Sequence, residues 1–503
     1  MANPQNDDGL ASAANVSVVP ESRVIDGEAE YGVARDESGL RLLLLAPSGS
    51  PLFAAFEGET QEHAGRTLLV GPANAHNAAA LRERFEWLQP RPLGLRTSAG
   101  MGDRLGLATP GHVRAVRSVG GKLAPIFAQQ SIRENARTGR SPQQVTDDAT
   151  WGIFAEGWRA GVGADADHLK TTADIDACHA AGYTFYTIDP GDHVDNSAET
   201  ASLNALKLMV ERLPWGRLDD SAQVLRSRYL DKNFDVEGQR VEFDEHTLLR
   251  AAAKYGRAIA HVVTMYRHLL QIADKRNVEL EVSVDETELP TSHAEHIYIA
   301  TELRRLGVEW VSLAPRYIGR FEKGVDYIGD VDAFEADFAI HAAIARTLGP
   351  YKLSLHSGSD KYSVYSAAMR QTRGLVHLKT AGTSYLEALH TIAALDPPFF
   401  CSIYAFAREC YETDRASYHV SASLDRAPLP NAVCDADLPS LLDQFDAREI
   451  LHVTFGSVLT ARTAEGGWRF YDRLMALLRS HPEAYAANLQ AHFIKHLAPF
   501  AGE

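Results

Sequence analysis

From about residue 120 onward the apolar positions fall into short β-rich runs separated by amphipathic helical stretches. The runs are LAPIFAQQ (123–130), GVGADADHL (161–169), YTFYTI (183–188), ELEVSV (279–284), VEWVSL (308–313), KLSLH (352–356), GLVHLK (374–379) and ILHVTF (450–455). Between them lie helical patterns such as TADIDACHAAG, whose closing Gly182 suits a helix stop. Another, DAFEADFAIHAAIARTLG (332–349), opens on acidic residues and ends in Gly-Pro. Strands alternating with helices predict βα units around a parallel sheet. Eight such strands, over more than 300 residues, favour an α/β fold of the (β/α)8, TIM-like barrel type with insertions over an open doubly wound sheet. The segment RTSAGMGDRLG (96–106) reads either as a ninth strand or as the true first one, and the largely helical residues 199–276 as an elaborated crossover.

Ahead of the barrel, residues 1–25 are polar and are expected to be disordered, and residues 26–92, with RLLLLA and RTLLVG, predict a small N-terminal β-containing segment. Residues 93–503 form the predicted catalytic barrel, closed by a helical stretch at 466–499.

The acidic balance, formal net charge −16, gives no electrostatic reason to expect nucleic acid or an anionic membrane as partner. A small anionic substrate stays open, because a few cations can dominate one pocket. The four cysteines, Cys178, Cys401, Cys410 and Cys434, lack metal-binding spacing and are too few for a disulfide framework, so they read as reduced thiols. The N-terminus has no basic start followed by an apolar core, and no run approaches the roughly 20 apolar residues of a membrane helix. The expected location is the cytoplasm, as a monomer or homo-oligomer.

In a parallel barrel the strand C-termini and following loops build the active site. Polar residues stand there after seven of the predicted strands: Gln129, Gln130 and Ser131; Asp165, Asp167 and His168; Asp189, Asp192 and His193; Asp285, Glu286 and Glu288; Arg316 and Arg320; His356, Ser357 and Asp360; His377 and Lys379. His168, His356 and His377 come from three separate strands, and imidazoles converging in one mouth are how a barrel assembles a divalent-metal site. The competing reading of each is a hydrogen-bonded core histidine. In DHLK and VHLK, His and Lys share a strand face, whereas Asp167 would point away from His168 unless the strand is interrupted. Asp285 and Glu286 read as a fourth ligand, a general acid or base, or caps of the next helix. HAEH (293–296) reads as a solvated helix face, and Lys170, Lys379, Arg104, Arg133 and Arg316 are the cations available to an anion. GMGDRLG misses the dinucleotide-binding spacing by one residue, and neither a P-loop nor G-x-S-x-G occurs, which argues against nucleotide cofactors and serine hydrolysis.

The motifs FAQQSIRENARTGRSP, GADADHLKT, TIDPGDHVDN, VDETELPTS, WVSLAPRYIGRFEKGVDYIGD, LHSGSDKYSVY, VHLKTAGTSYLEAL and LHVTFGSVLT, spread over residues 94–490, resemble the tagaturonate epimerase family of hexuronate C4-epimerases. The resemblance implies a barrel isomerase that interconverts tagaturonate and fructuronate with a divalent cation (zinc, manganese, nickel, cobalt or iron) and no nicotinamide. It implies His168, His356 and His377 as metal ligands, with Asp192, His193 or Asp285 as alternatives for one of them, Asp167 as general base and Glu286 as acid. A keto-sugar acid would be bound by Gln130, Ser131, Lys170, Thr187, Asp192, Arg316, Ser357, Asp360 and Lys379. The implied chemistry is retro-aldol/aldol or proton transfer through a metal-stabilised enediolate; a class II-type aldolase and a non-catalytic sugar- or metal-binding protein are the alternatives.

Overall fold

In the computed structural model, which describes residues 9–36, 39–380 and 382–502, the run RLLLLA lies on a strand covered on both faces. Five antiparallel strands, β1 (Val24–Asp26), β2 (Ala29–Asp36), β3 (Gly39–Pro47), β4 (Glu59–His63) and β5 (Arg66–Pro72), pair in the order β1-β2-β3-β5-β4. Successive side chains of β3 point to opposite faces. Leu42, Leu44 and Ala46 join the main core, while Leu43 and Leu45 pack with Leu10, Ala13 and Leu68 under the short helix Gly9–Ala14. That helix corrects the expected disorder of residues 1–25 from residue 9 onward, because Leu10 and Ala13 have a greasy sheet face to cover; residues 1–8 lie outside the described residues.

The barrel strands are β6 (Ser98–Met101), β7 (Ala124–Ser131), β8 (Gly163–Leu169) and β9 (Phe185–Ile188), then, after the hairpin β10 (Asn233–Val236) and β11 (Gln239–Glu242), β12 (Glu279–Val284), β13 (Ser312–Pro315), β14 (Lys352–Leu355) and β15 (Val376–Thr380). All eight pair in parallel, in chain order, and β15 closes on β6. The segment 96–106 therefore carries the true first strand. ILHVTF is not a strand: it spans the helices Phe445–Val453 and Phe455–Thr460. Ile450, Leu451, Val453 and Phe455 are all buried, and a short run buried on every side carries no periodicity to separate helix from strand. The crossover between β9 and β12 holds the hairpin and the 28-residue helix Glu245–Ile272. At the C-terminus the helix Pro482–Leu497 crosses Thr109–Val119 so closely that a Cβ on Gly111 would stand 2.4 Å from the Leu489 Cβ.

On β12 the apolar Leu280, Val282 and Val284 face the surrounding helices, and the polar Glu279, Glu281 and Ser283 take the other face. The pattern leaves a barrel axis lined with charge. At its lower end Glu279 accepts from the backbone of Leu93, 2.9 Å away, and of Gly94; at its upper end stands Asp285.

The helix Phe445–Val453 carries Glu449, buried beside Glu322. Burial, and then the neighbouring Glu322 carboxyl, push Glu449 up to about 8. Glu322 Oε2 accepts from the backbone and hydroxyl of Ser421 at 2.7 and 2.8 Å, and Glu449 Oε2 accepts from the Ala422 backbone at 3.0 Å. A carboxyl raised in the fold is undisturbed below its unfolded pKa of about 4.3 and loses stability as pH climbs through the folded value. Wild type should therefore lose stability between about pH 4.3 and 8 at this site, and Glu449→Gln, whose amide can donate to Glu322, should remove that loss. Thermal melting at pH 5 and pH 9 checks this; an equal difference between variant and wild type at both values would rule out the protonated pair.

Candidate metal and active site

The sequence DADHL raises a geometric difficulty, since strict alternation would send Asp167 and His168 to opposite faces of β8. The structure resolves it by breaking the strand. His168 takes φ +55°, and the β8–β9 pairing slips between Ala166 and Leu169. A left-handed non-glycine residue costs on the order of 1–3 kcal/mol and persists where its surroundings hold it. Here they do: His168 Nδ1 lies 2.8 Å from Asp167 Oδ1, which also accepts from Lys379 Nζ at 2.7 Å.

Three donors then meet at the mouth. His168 from β8, Asp285 from the turn after β12 and His356 from the end of β14 offer ligand atoms that all lie within 4.8 Å of one another. Asp285 Oδ1 is 3.8 Å from His168 Nε2 and 3.3 Å from His356 Nδ1. The opposite nitrogen of each ring is held by a carboxylate: His168 Nδ1 by Asp167, and His356 Nε2 by Glu281 at 2.7 Å. His168 Nε2 is left buried with no hydrogen-bond partner among the described residues. Imidazoles anchored from behind by carboxylates, with a third carboxylate beside the free His168 Nε2 and beside His356 Nδ1, which the Ser283 hydroxyl also approaches at 3.3 Å, make the donor set of a divalent-cation centre. The charge balance fits too. Burial opposes charge on His168 and His356, yet the surrounding carboxylates, Asp167 for the first and Asp285 for the second, outweigh it and raise both above the ordinary histidine value. The site carries surplus negative charge that a cation would neutralise.

Beneath this group Lys379 Nζ forms a hub, 3.0 Å from Asp165, 2.7 Å from Asp167, 2.9 Å from Glu281 and 2.5 Å from Thr187 Oγ1. Thr187 and Lys379, expected to touch substrate, are instead sealed under the metal group and fix its carboxylates. His377 is not brought to the group. It sits lower on β15, its Nδ1 2.8 Å from Ser98 Oγ and its Nε2 facing Asp165 at 3.7 Å, and Asp285 stands as the third donor instead. Glu281, which sequence reasoning passed over, is a central partner; its signal was the two-residue spacing Glu279, Glu281, Ser283, Asp285 through an otherwise apolar strand.

Other expected pocket residues separate. Ser131 Oγ caps the helix Ile132–Thr138 by accepting from the Glu134 backbone at 3.1 Å, and Gln130 donates to the Glu134 side chain. Arg104 is buried against Glu134 and lies 3.5 Å over the Phe455 ring. Lys170 and Asp192 pair on the rim at 2.8 Å, and His193 stacks on His261. Asp360 turns away: φ +61° aims it at Arg448, 2.9 Å distant, and at His492 and His496. Asp285 and Glu286 cap no helix, because the next one begins at His293 under Ser292 and a capping box with Glu295.

Above the metal group opens a cavity of about 300 Å³ with His356, Asp285 and Glu286 on one side. Arg133, Arg316, Arg320, Lys323 and Ser357 are among the residues lining the rest, with Tyr317, Phe321, Glu322, Tyr418 and His419. Arg133 pairs with Glu286 at 2.7 Å, Arg316 donates to the Thr287 carbonyl and Arg320 reaches Glu322 at 3.4 Å. Lys323 makes no ion pair among the described residues. Burial pushes the Glu286 carboxyl up, but the positive charge of His168 and the Arg133 hydrogen bond outweigh it and hold Glu286 at about 2. No helix among the described residues is long and apolar enough to cross a membrane.

Comparison with known proteins places the chain. Residues 22–500 match the family described as tagaturonate epimerase (UxaE), so the match takes in the N-terminal sheet as well as the barrel. The tagaturonate/fructuronate epimerase of Thermotoga maritima is 44% identical over 467 residues, 93% of each chain. The native crystal structure of the fructuronate-tagaturonate epimerase of Cohnella laeviribosi superposes with a TM-score of 0.90 at 38% identity, covering 97% of both chains, and a complex of that enzyme with two glycerols reaches 0.91 over 98%. Matched along nearly its whole length in sequence and in fold, the chain belongs to the tagaturonate epimerase family, a family of isomerases.

Proposed function

We propose that the protein is a metal-dependent C4 epimerase that interconverts D-tagaturonate and D-fructuronate. The observation that carries this reading is the group His168, Asp285 and His356, backed by Asp167 and Glu281, at the side of a cavity with cationic walls. The names of the relatives supply the substrate pair. In ketose numbering C4 is β to the ketone, so its C–H is not acidified as an α C–H would be. Breaking and remaking the C3–C4 bond with rotation of the aldehyde between the two steps inverts C4 without that proton. A divalent cation held by His168, Asp285 and His356 would act as a Lewis acid toward the substrate oxygens on which negative charge grows.

The chain's own groups handle the protons. Asp167 Oδ1 is occupied by His168 and Lys379, whereas Oδ2 has only Gln129 at 3.3 Å and is the oxygen able to accept the C4 hydroxyl proton. Glu286, across the mouth, serves the other aldehyde face. It is ionised under the charge of His168 and the Arg133 hydrogen bond; a cation that takes up the neutral His168 ring, together with a substrate carboxylate that draws Arg133 away, would let Glu286 carry a proton and return it.

The test is conversion of tagaturonate by the purified full chain loaded with zinc, manganese, nickel, cobalt or iron in turn, followed by NMR. Fructuronate should appear and chelator should stop it. Net release of three-carbon fragments would make the protein an aldolase, and no turnover with any cation would leave a binding protein. Lys323, the cavity cation without an ion pair, is assigned to the substrate carboxylate. Lys323→Ala should raise KM about 10- to 100-fold, as the loss of a charged hydrogen bond of roughly 1.5–3 kcal/mol implies, with kcat little changed. An unchanged KM would remove Lys323 from the site.

A further inference from the structure

HAEH is not a solvated face. The helix His293–Arg305 presents it to the helix Val331–Leu348, where His296 and His341 are fully buried and the side chains of His293 and Asp337 keep 27% and 22% exposure. His293 Nε2 lies 2.9 Å from Asp337 Oδ1, and His341 Nε2 lies 3.6 Å from Asp337 Oδ2. One ligand atom from each of the three residues falls within 4.8 Å of the others.

The hydrogen bonds behind this group decide what His341 can do. His341 Nδ1 and His296 Nδ1 face each other at 2.8 Å, and two such nitrogens share one proton; His296 Nε2 lies 2.9 Å from the Tyr351 hydroxyl. If His341 Nδ1 carries the shared proton, its Nε2 is a bare lone pair turned toward Asp337. In the opposite tautomer the buried N–H lies 3.6 Å from Asp337 Oδ2, too far for a hydrogen bond, and has only the Thr291 backbone to turn to among the described residues.

We propose that His293, Asp337 and His341 form a second divalent-cation site, outside the barrel mouth, that staples the two helices following β12 and β13. Two imidazoles and one carboxylate suit a zinc-class ion (zinc, cobalt or nickel) over magnesium or calcium. Solvent reaches the site past His293 and Asp337, and water completes the coordination. The staple stands beside the loop that carries Asp285 and Glu286, because Thr291, next to the helix start, exchanges hydrogen bonds with Arg316 at 2.8 and 3.1 Å.

The full chain, stripped with chelator, reloaded with Zn²⁺ and dialysed, is to be analysed for bound zinc beside His293→Ala and Asp337→Asn. Both positions are partly exposed, so each variant should fold, and circular dichroism identifies one that does not. The expected result is one equivalent of zinc fewer than wild type in each, affinity at that site down at least about 100-fold, and a smaller rise of Tm on zinc addition, whereas His168→Ala loses a different equivalent and the double variant His168→Ala/His293→Ala loses both. Wild-type zinc content and an unchanged zinc-induced Tm shift in a folded His293→Ala or Asp337→Asn would overturn the proposal.

Discussion

Replacing His168 or His356 by Ala, or Asp285 by Asn, is expected to lower kcat/KM for ketohexuronate epimerisation by roughly 10³-fold or more, about 4 kcal/mol of barrier, together with loss of bound metal. Each change removes one of the three donors that lie within 4.8 Å of one another. The effect should grade outward. Glu281→Gln keeps the shape but weakens the hydrogen bond that orients His356, and should cost about 10- to 100-fold in metal affinity. His377→Ala should leave metal content unchanged, since its ring faces Ser98 and Asp165 below the hub. Steady-state kinetics and metal analysis on the same preparations check the order. Loss of metal in His377→Ala with retention in Asp285→Asn would reverse the assignment of the third ligand.

The sequence carried the architecture because βα alternation is a pattern of many residues, and an error at one place does not undo it. ILHVTF has the pattern of a strand and folds as helix, while 96–106 supplies the first strand, so the two segments exchange roles and the count of eight is unchanged. His168 and His356 were legible as strand-end imidazoles. His377 looked identical in sequence, and only depth along the barrel axis separates it: on β15 it lies two residues below Lys379, which itself is already beneath the metal group. The convergence of Asp167 and His168 could not be read from spacing, because it depends on one φ angle of +55°. Asp360 shows the reverse case, a polar residue after a strand end that a left-handed turn sends to Arg448 and two helix histidines instead of the mouth. HAEH failed as a solvated face for a related reason. Nothing in four residues tells a helix whether its neighbour will bring Asp337 and His341 against it.

The largest expected stability effect lies at Lys379. Its ammonium stands within 3.0 Å of Asp165, Asp167 and Glu281, all of them buried. Lys379→Met keeps much of the volume but strands three carboxylates in the barrel axis, and removing one partner of a buried charge cluster typically costs about 3–5 kcal/mol. The sign with pH follows from the same contacts. Burial alone would raise Asp167 and Glu281, yet the charges of His168, Lys379 and His356 outweigh it and hold both well below the usual carboxylate range. Carboxylates so depressed contribute stability that is fully present above their unfolded values of about 3.9–4.3 and is lost as pH falls through the folded ones. Without Lys379 much of that contribution disappears and burial raises the stranded carboxylates instead, so the gap between variant and wild type should be larger at pH 7 than at pH 4 and narrow further as pH falls toward the depressed wild-type values. Adding Glu281→Gln to Lys379→Met removes one stranded charge and should recover part of the loss, because the two positions are in contact and their effects do not add. Urea unfolding at pH 4 and pH 7 measures both. A Lys379→Met cost under about 1 kcal/mol at pH 7, or one independent of pH, would show that protons or solvent, not Lys379, balance the carboxylates beneath the metal group.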